Sequence, residues 1–589
     1  MALLRRPTGR AWLLALAWAV ASSSFVWMID WGTPRPSWAR LVEWYEPIAA
    51  AELESSRADA QSNDTRDWRA SHTRSVLGLA NSLRADPGAG RASRLTRAEQ
   101  AETVEKYLLG SKGYDESATI SAIKRMVSEG KYFDPKDYRY GGSHLYLVAA
   151  SLAGGTVLGL VPNRVDFETL KRDQSGIRAL YGFARLPSAV AMSLALAALM
   201  WVVARQFGHW TALYGGFLVA CSPLVVNYTH SMKPPAVAAA YATGALAGLW
   251  LAQRTGRRPW LTTSAALAGL AVGSYFSSGP ILLLPAAYVA FGDGEPWLER
   301  FGTILKYVVA PALLAFLITN PFVATNPSGY AETFVDVTIV KSGYYSFNAG
   351  YQNLRDLSSG LLQGMGLAVT LLSALGLAVA LRGGDRLERA AAVTVLAAAA
   401  VFTFFFGGAT KDPMLGGVSR YLLYLIGPMV YLASFAIARS ARGNRSRFWL
   451  PVACCALLLP ALLTTAESFA GLREEIHDGA EAQVLDYLAD NELQGRRGAV
   501  ALAVPRPHRQ VAFPVLGIEW HRFAERDQWS DEERPELLLL SLPLAWFEWE
   551  HAQKYRAAAA FGVERSRFHE RFSFPCKWFD RTYLYVLKS

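Results

Sequence analysis

Apolar runs of about twenty residues recur along this chain and constrain its fold more than any other feature. An α-helix rises about 1.5 Å per residue, so roughly 20 residues are needed to cross the hydrocarbon core of a bilayer. The pattern predicts an α-helical polytopic membrane protein with about 11 to 13 transmembrane helices. The apolar runs lie near 11–29, 186–204, 209–228, 235–252, 260–277, 279–292, 303–320, 357–381, 389–407, 419–438 and 447–464.

The composition agrees with a membrane protein that also has polar parts outside the bilayer. Hydrophobic residues make up 52% of the 589 residues and charged residues 18%, which is too apolar for a soluble protein of this length. The net charge of +10 does not indicate a nucleic-acid partner, because the arginines cluster in short loops where positive charge sets membrane orientation. The four cysteines follow no disulfide or metal-binding pattern, so no metal and no cofactor is predicted.

Positive charge between the apolar runs predicts how the chain threads the membrane, because cytoplasmic loops carry an excess of Lys and Arg. The same count places both flanks of a further apolar run, 144–161, outside. That run therefore either does not cross or crosses twice, and we interpret it as a membrane-immersed or interfacial helix on the outer side. The loops expected in the cytoplasm contain Arg205, the cluster 254–258, Lys306, and the clusters 382–389 and 439–447.

The first apolar run follows Arg5, Arg6 and Arg10, which is typical of either a signal peptide or a first span. The small residues 19–21 would suit cleavage, but hydrophobicity continues as far as Ile29. This length favours an uncleaved span with a cytoplasmic N-terminus.

Four segments follow from these patterns. Residues 1–29 form the cytoplasmic N-terminus and first transmembrane helix, and residues 30–185 form a large extracytoplasmic loop with an acidic motif and the membrane-immersed helix. Residues 186–464 form the multi-span domain. Residues 465–589 form a small extracytoplasmic α/β domain, with a helical pattern at 475–491 and strand patterns at 499–504, 536–540 and 583–587.

Two adjacent carboxylates, Asp115 and Glu116, precede an apolar stripe of helical spacing in the outer loop. One interpretation makes Asp115 a helix N-cap and Glu116 a first-turn acid that offsets the helix dipole. The other makes a carboxylate at the membrane surface the acceptor of a proton from an attacking hydroxyl. The two roles are compatible.

Cations and aromatic rings gather at the predicted outer ends of the spans, where such residues are commonly interfacial anchors or snorkelling side chains. Several cations on one face could instead offset the charge of an anionic lipid head. The candidates are Arg139, Tyr140 and His144 before and within the run 144–161, His230 and Lys233 in the turn 227–235, and Arg420 with Tyr421.

The order of these motifs resembles the GT-C glycosyltransferases, and within them the protein-mannosyltransferase and aminoarabinose-transferase branch, glycosyltransferase family thirty-nine. The resemblance covers roughly Tyr114 to Leu463 and rests on Tyr114-Asp115-Glu116, Tyr138-Arg139-Tyr140-Gly141-Gly142, Ala184-Arg185-Leu186-Pro187-Ser188-Ala189, His230-Ser231-Met232-Lys233-Pro234, Thr319-Asn320-Pro321-Phe322 and Ser419-Arg420-Tyr421-Leu422-Leu423.

This resemblance implies a GT-C-like fold and a transferase that uses a polyprenyl-phosphate-linked sugar on the outer face. Asp115 would be the base on the acceptor and Glu116 would help to orient a substrate. Arg139, Lys233 and Arg420 would hold the donor phosphate. The chain departs from the family pattern at Pro235, where many relatives have an acidic residue, and in the length of the segment before Asp115.

We therefore expect an integral glycosyltransferase of a bacterial inner or plasma membrane, acting on an unidentified extracytoplasmic acceptor in a protein, glycan or lipid. Membrane lipids would be its other partners. A lipid or solute transporter is the alternative, but it predicts ionisable residues in mid-span, and the apolar runs carry almost none. A structural role in envelope assembly is a third possibility.

Overall fold

A computed structural model of the protein describes residues 9–27, 29, 116–130, 133–163 without 137 and 139, 174–335 without 293 and 295, 354–405 with short gaps, 418–441, 462, and short stretches between 487 and 587. The described part is mostly helical. Its helices are α1 Gly9–Val26, α2 Glu116–Ser128, α3 Gly142–Val157, α4 Gln174–Phe207, α5 His209–Ala220, α6 Pro223–Thr229, α7 Pro234–Thr255, α8 Arg258–Ser274, α9 Leu283–Ala290, α10 Trp297–Ile304, α11 Ala310–Thr319, α12 Phe322–Thr325, α13 Pro327–Val335, α14 Leu367–Gly383, α15 Arg386–Phe405 and α16 Ile426–Ser440.

Shorter helical turns extend or link several of these helices. A π-helical turn, Leu305–Val309, joins α10 to α11, and another, Leu361–Met365, precedes α14. The 3-10 segments Phe276–Leu282 and Val418–Leu425 lead into α9 and α16.

Five of the described helical stretches are long and apolar enough to cross a membrane. A sixth results if α5 and α6, which meet at an angle of 64°, count as one broken span. This confirms a helical membrane architecture, while the span count stays a prediction and the predicted run 447–464 lies outside the described residues except for one position. The five stretches are Ser175–Phe207, Pro234–Thr255, Trp297–Thr319, Arg386–Phe404 and Tyr421–Ser440.

The centre of the bundle is formed by α4, α7 and α16. The buried residues of α7 are mostly alanines, which lets neighbouring backbones approach closely, as is typical of helix packing in membranes. A Cβ atom at Gly376 on α14 would lie 2.0 Å from the Leu432 carbonyl oxygen on α16, so only glycine permits this crossing. The first helix, α1, packs on the outside of α4, where Trp18 Nε1 donates to the Ser193 carbonyl at 2.8 Å.

The helix α3, Gly142–Val157, overlaps the run 144–161, which the sequence predicts to be membrane-immersed. It has 16 residues, or about 24 Å at a helical rise, and it is not among the helices long enough to span. Ser151 Oγ on α3 donates to the Phe183 carbonyl on α4 at 2.6 Å, which fixes the helix against the start of α4.

The two ends of the bundle differ in charge. At one end, α7 starts after Lys233, beside the segments that carry the motifs described below. At the other end, about 33 Å away at a helical rise, it finishes near Arg254, and α8 begins at Arg258. Arg205 and Arg439, two of the arginines predicted to be cytoplasmic, lie in the last turns of α4 and α16. Both turns lie near this second end, because Trp250 Nε1 on α7 donates to Gln206 Oε1 and Phe207 packs against Phe435.

The C-terminal region contains a five-stranded sheet in the order β2-β1-β3-β5-β4. The strands β1 and β3 are parallel neighbours, whereas β3 and β5 are antiparallel. All four leucines of β3 are buried, so β3 is the central strand of a covered sheet. The predicted strands overlap β1, β3 and β5, and the α/β domain as a whole stays a prediction. The strands are β1 Arg497–Ala501, β2 Glu519–Arg522, β3 Leu537–Leu540, β4 Tyr555–Phe561 and β5 Thr582–Leu587.

Candidate active site

A buried ion pair joins Glu116, the first residue of α2, to Arg185 on α4. Arg185 Nε donates to Glu116 Oε1 at 3.0 Å, and its Nη2 donates to Oε2 at 2.7 Å. Both side chains are fully shielded from solvent. A planar guanidinium that grips both carboxylate oxygens restricts the position and the orientation of the glutamate.

The main chain of Met232, in the turn before α7, lies beside this ion pair. Its N–H donates to Glu116 Oε1 at 3.0 Å, and its carbonyl lies 3.1 Å from His144 Nε2. Thr119 Oγ1, one turn into α2, donates to the same carbonyl at 3.4 Å. The turn between α6 and α7 therefore connects the starts of α2 and α3.

Carbonyl groups that follow α1 complete the arrangement. Arg185 Nη1 donates to the Ile29 carbonyl at 2.8 Å, and His230 Nε2 lies 2.7 Å from the Trp27 carbonyl. Carbonyl groups that are shielded from water need a hydrogen-bond partner, so these contacts satisfy groups that burial would otherwise leave unpaired. We call this set the polar junction: Trp27, Ile29, Glu116, Thr119, His144, Arg185, His230 and Met232.

A second set of contacts fixes the segment before α3. Gly141 N–H donates to the Ser274 carbonyl at 3.1 Å, and Gly142 N–H donates to Asn320 Oδ1 at 2.8 Å. A Cβ atom on Gly141 would lie 1.9 Å from the Gly273 carbonyl oxygen. The two glycines are therefore required because the chain passes directly over the ends of α8 and α11.

Aromatic rings surround this docked segment. Tyr138 stacks on Phe322 with ring centroids 4.9 Å apart, and its hydroxyl bonds to Asp134 Oδ1 at 2.7 Å. Tyr330 packs edge-on against Tyr138, and burial raises the pKa of Tyr330 to about 12, so its hydroxyl remains protonated. Asn326 Nδ2 donates to the Tyr138 hydroxyl at 2.7 Å, which ties the loop before α3 to the segment after α11.

The structure brings together three of the residues proposed from the sequence: Glu116, His144 and His230 all belong to the polar junction. Tyr140 lies next to it, with its ring edge-on to His144 at 6.4 Å. Lys233 holds the N-cap position of α7, with Nζ 6.0 Å from the Tyr228 ring centroid.

The remaining residues proposed from the sequence lie outside the polar junction or outside the described structure. Tyr421 lies in the 3-10 turn before α16, where its ring is parallel to those of Tyr275 and Phe402 at 6.0 and 6.1 Å. Arg420 belongs to the same turn, but its side chain lies outside the described structure, as do Asp115 and Arg139 entirely. Their roles therefore stay predictions.

Arg185 was not proposed as a site residue from the sequence. The signal for it was present, because an arginine among apolar residues near the start of a span requires a buried partner. Its partner lies 69 residues earlier in the chain, so no local pattern identified the pair. Within the described ranges, no group of three or more His, Cys, Asp or Glu side chains is placed to hold a metal ion.

Comparisons with known proteins agree with the motif order. Residues 182–324 match the family described as dolichyl-phosphate-mannose-protein mannosyltransferase. This match contains Arg185, the turn 230–234 and the motif 319–322, three of the elements described above. No curated protein matches the chain significantly in sequence.

Solved structures of two kinds are similar to this chain. ArnT from Cupriavidus metallidurans, bound to undecaprenyl phosphate, has a TM-score of 0.43 and 14% identity, over 80% of this chain and 93% of its own. The archaeal oligosaccharyltransferase AglB from Archaeoglobus fulgidus, in complex with an inhibitory peptide and a dolichol-phosphate, has a TM-score of 0.42 and 11% identity. That similarity covers 73% of this chain and 65% of the archaeal one.

The family match over residues 182–324 and the helical membrane fold together indicate a membrane glycosyltransferase. The match also confirms the resemblance to the protein mannosyltransferases, which the motif order indicates.

Proposed function

We propose that this protein transfers a sugar from a polyprenyl-phosphate donor to a hydroxyl group of an extracytoplasmic acceptor, with Asp115 as the base. The acceptor oxygen attacks the anomeric carbon while the bond from that carbon to the phosphate oxygen breaks. The polyprenyl phosphate leaves with the bonding electron pair, and the acceptor proton passes to the Asp115 carboxylate. The acceptor is a protein, a glycan or a lipid.

The observation that carries this proposal is the polar junction. Glu116 is held by two bonds from Arg185 and one from the Met232 N–H. Consecutive Cα atoms are about 3.8 Å apart, so a fixed Glu116 restricts where the preceding aspartate can lie. Glu116 itself has its oxygens engaged by these donors, which suits a residue that positions its neighbour rather than one that accepts a proton.

An unpaired buried nitrogen within the polar junction supports a polar ligand there. His144 is fully buried, its Nε2 faces the Met232 carbonyl, and its Nδ1 has no hydrogen-bond partner in the described structure. Buried polar atoms of this kind are usually satisfied by a partner. If Nε2 carries the proton, Nδ1 is an acceptor, and a substrate hydroxyl would satisfy it.

The donor phosphate would be held by cations at the same end of the bundle. Lys233 lies one residue after Met232, and the motifs with Arg139 and Arg420 precede α3 and α16. Their charges would stabilise the leaving phosphate where little water competes. Tyr140, His230 and Tyr421 complete the proposed binding set. ArnT bound to undecaprenyl phosphate and AglB in complex with a dolichol-phosphate are in keeping with a lipid phosphate as the ligand.

The positive charges at the opposite end support an orientation with this site outside the cytoplasm, in the inner or plasma membrane of a bacterium. In the same proposal, residues 30–185 are an extracytoplasmic loop, 186–464 the multi-span domain, and 465–589 an extracytoplasmic α/β domain.

Purified protein in liposomes, supplied with a radiolabelled polyprenyl-phosphate sugar and envelope extract, tests this function. Wild-type protein should move label from lipid to acceptor. Asp115→Asn should reduce that rate by about 10²- to 10⁴-fold, because an amide cannot accept the proton. Glu129→Gln is the matched control, because the Glu129 side chain at the end of α2 is exposed, and this variant should transfer the sugar at the wild-type rate.

Two results would contradict the proposal. If Asp115→Asn transfers at close to the wild-type rate, this aspartate is only a helix cap. If wild-type protein carries the donor across the bilayer without transferring the sugar, the protein is a transporter.

A further inference from the structure

Two cations converge on one aromatic ring at the end of the bundle opposite the candidate active site. The guanidinium of Arg258, at the start of α8, and the ammonium of Lys306 each lie 5.3 Å from the centroid of the Tyr307 ring. Arg258 Nη1 also donates to the Tyr307 hydroxyl at 3.4 Å. Within the described residues, no carboxylate pairs with either cation, so nothing in that part of the chain neutralises their positive charges.

The backbone around these cations is also suited to an anion. Lys306 and Tyr307 lie in the π-helical turn between α10 and α11, a rare local geometry that often occurs at functional sites. It brings them against the start of α8, where the N-cap residue Arg257 makes no side-chain capping bond. The N-terminal end of a helix carries a partial positive charge, and that of α8 adds to the field of the two cations.

The surface next to this cluster is apolar. Only 11% of the most apolar stretch within Trp297–Thr319 is buried inside the protein. Leu305 and Val309 in the π-helical turn are exposed, and so are Leu313, Leu314 and Ile318 further along α11. A bare apolar helix face of this kind is in contact with acyl chains in a membrane.

We propose that Arg258, Lys306 and Tyr307 form a binding site for the head group of an anionic phospholipid in the leaflet opposite the candidate active site. The phosphate would lie between the two cations at the start of α8, and the acyl chains would follow the exposed face of α11. An amphiphile is the ligand that matches a charged cluster continuous with an apolar helix. A free phosphate ion has no apolar part that could cover the exposed face of α11.

The site would fix the position of α10 and α11 relative to α8. The carbonyl of Thr319, at the far end of α11, lies against Gly142, and Asn320 next to it binds the Gly142 N–H. A lipid bound at Lys306 would therefore steady a helix that also supports the segment before α3.

Native mass spectrometry of the delipidated full chain, titrated with phosphatidylglycerol and phosphatidylcholine of the same acyl chains, tests the site. Phosphatidylglycerol should bind more tightly. Each cation near a membrane surface changes affinity for an anionic lipid about fivefold, so the double variant Arg258→Gln/Lys306→Gln should weaken phosphatidylglycerol binding by more than about tenfold. Arg439→Gln, an exposed arginine at the same end, is the control and should change it by no more than about twofold.

If Arg439→Gln weakens phosphatidylglycerol binding as much as the double variant does, the overall positive charge alone attracts the lipid. If the double variant binds phosphatidylglycerol as tightly as wild-type protein, the proposed site does not exist. Displacement of the lipid by an excess of inorganic phosphate would indicate a soluble-ion site instead. If the double variant does not fold, a photoactivatable phosphatidylglycerol on wild-type protein decides: labelling should map to 256–262 or 303–310, and labelling elsewhere overturns the proposal.

Discussion

Arg185 and Glu116 form a two-pronged ion pair, Nε to Oε1 at 3.0 Å and Nη2 to Oε2 at 2.7 Å, with both side chains fully buried. The pair joins the start of α2, in the outer loop, to α4, at the centre of the bundle. Removing water from two charges is costly, and the pair compensates only while both partners remain. Stability and activity are therefore coupled at this position.

Glu116→Gln should destabilise the protein by about 3–5 kcal/mol, because Arg185 would be left buried with an unneutralised charge. The double variant Glu116→Gln/Arg185→Met should recover part of this loss, since it removes both charges and fills the space with an apolar side chain. Thermal unfolding of the detergent-purified protein, followed by tryptophan fluorescence, measures both effects.

The matched control is the ion pair of Lys136 with Glu129, whose side chains are 37% and 36% exposed. Glu129→Gln should cost less than about 1 kcal/mol, because an exposed pair is screened by solvent. If Glu116→Gln is as mild as this control, the ion pair does not organise the polar junction.

Gly141→Ala should destabilise the segment before α3 and reduce transfer activity. A methyl group at Gly141 would lie 1.9 Å from a backbone carbonyl of α8, which cannot move aside as a flexible side chain could. Gly154→Ala on α3 is the control, because nothing lies within 4 Å of its added carbon. In a helix interior, alanine is favoured over glycine by about 0.5–1 kcal/mol.

Limited proteolysis and the transfer assay compare these two glycine variants. Resistance to proteolysis and sugar-transfer activity should both fall for Gly141→Ala. Both should stay unchanged or rise for Gly154→Ala. Equal behaviour of the two would mean that the contact between the docked segment and α8 is not tight in the membrane.

The sequence predicted the central helices well because their signal is local. The run 235–252 became α7, Pro234–Thr255, and the prolines at its start and the glycine after its end mark both boundaries. The contacts that build the site are different in kind. Arg185 reaches Glu116 across 69 residues, and Gly142 reaches Asn320 across 178.

Hydrophobic periodicity specifies which face of a helix is buried but not which other segment covers it. Motif order therefore indicated that His144, His230 and Glu116 belong to one site, while the hydrogen bonds through the Met232 main chain could not be predicted. A backbone N–H carries no sequence signature.

The orientation of the bundle is tested by single cysteines in intact cells. A cysteine at Ser111 or at Ser530 should react with an impermeant thiol reagent from outside, and one at Gly256, in the exposed turn between α7 and α8, should not. The charge distribution is the reason: Gly256 is adjacent to Arg254, Arg257 and Arg258. Labelling of the Gly256 variant in unbroken cells would reverse the orientation and place the candidate site in the cytoplasm.

The last prediction concerns Arg420, which lies in the 3-10 turn before α16 and next to the stacked ring of Tyr421. If Arg420 grips the donor phosphate, Arg420→Lys should weaken donor affinity or rate roughly ten- to hundredfold, because a point charge cannot reproduce the planar fork of a guanidinium. This corresponds to the loss of about 1.5–3 kcal/mol for one charge-assisted contact. Steady-state kinetics against varied polyprenyl-phosphate sugar measure it, with Arg439→Lys at the opposite end as the control. An arginine that only snorkels to the interface would tolerate lysine, so unchanged parameters in Arg420→Lys would make this residue a membrane anchor.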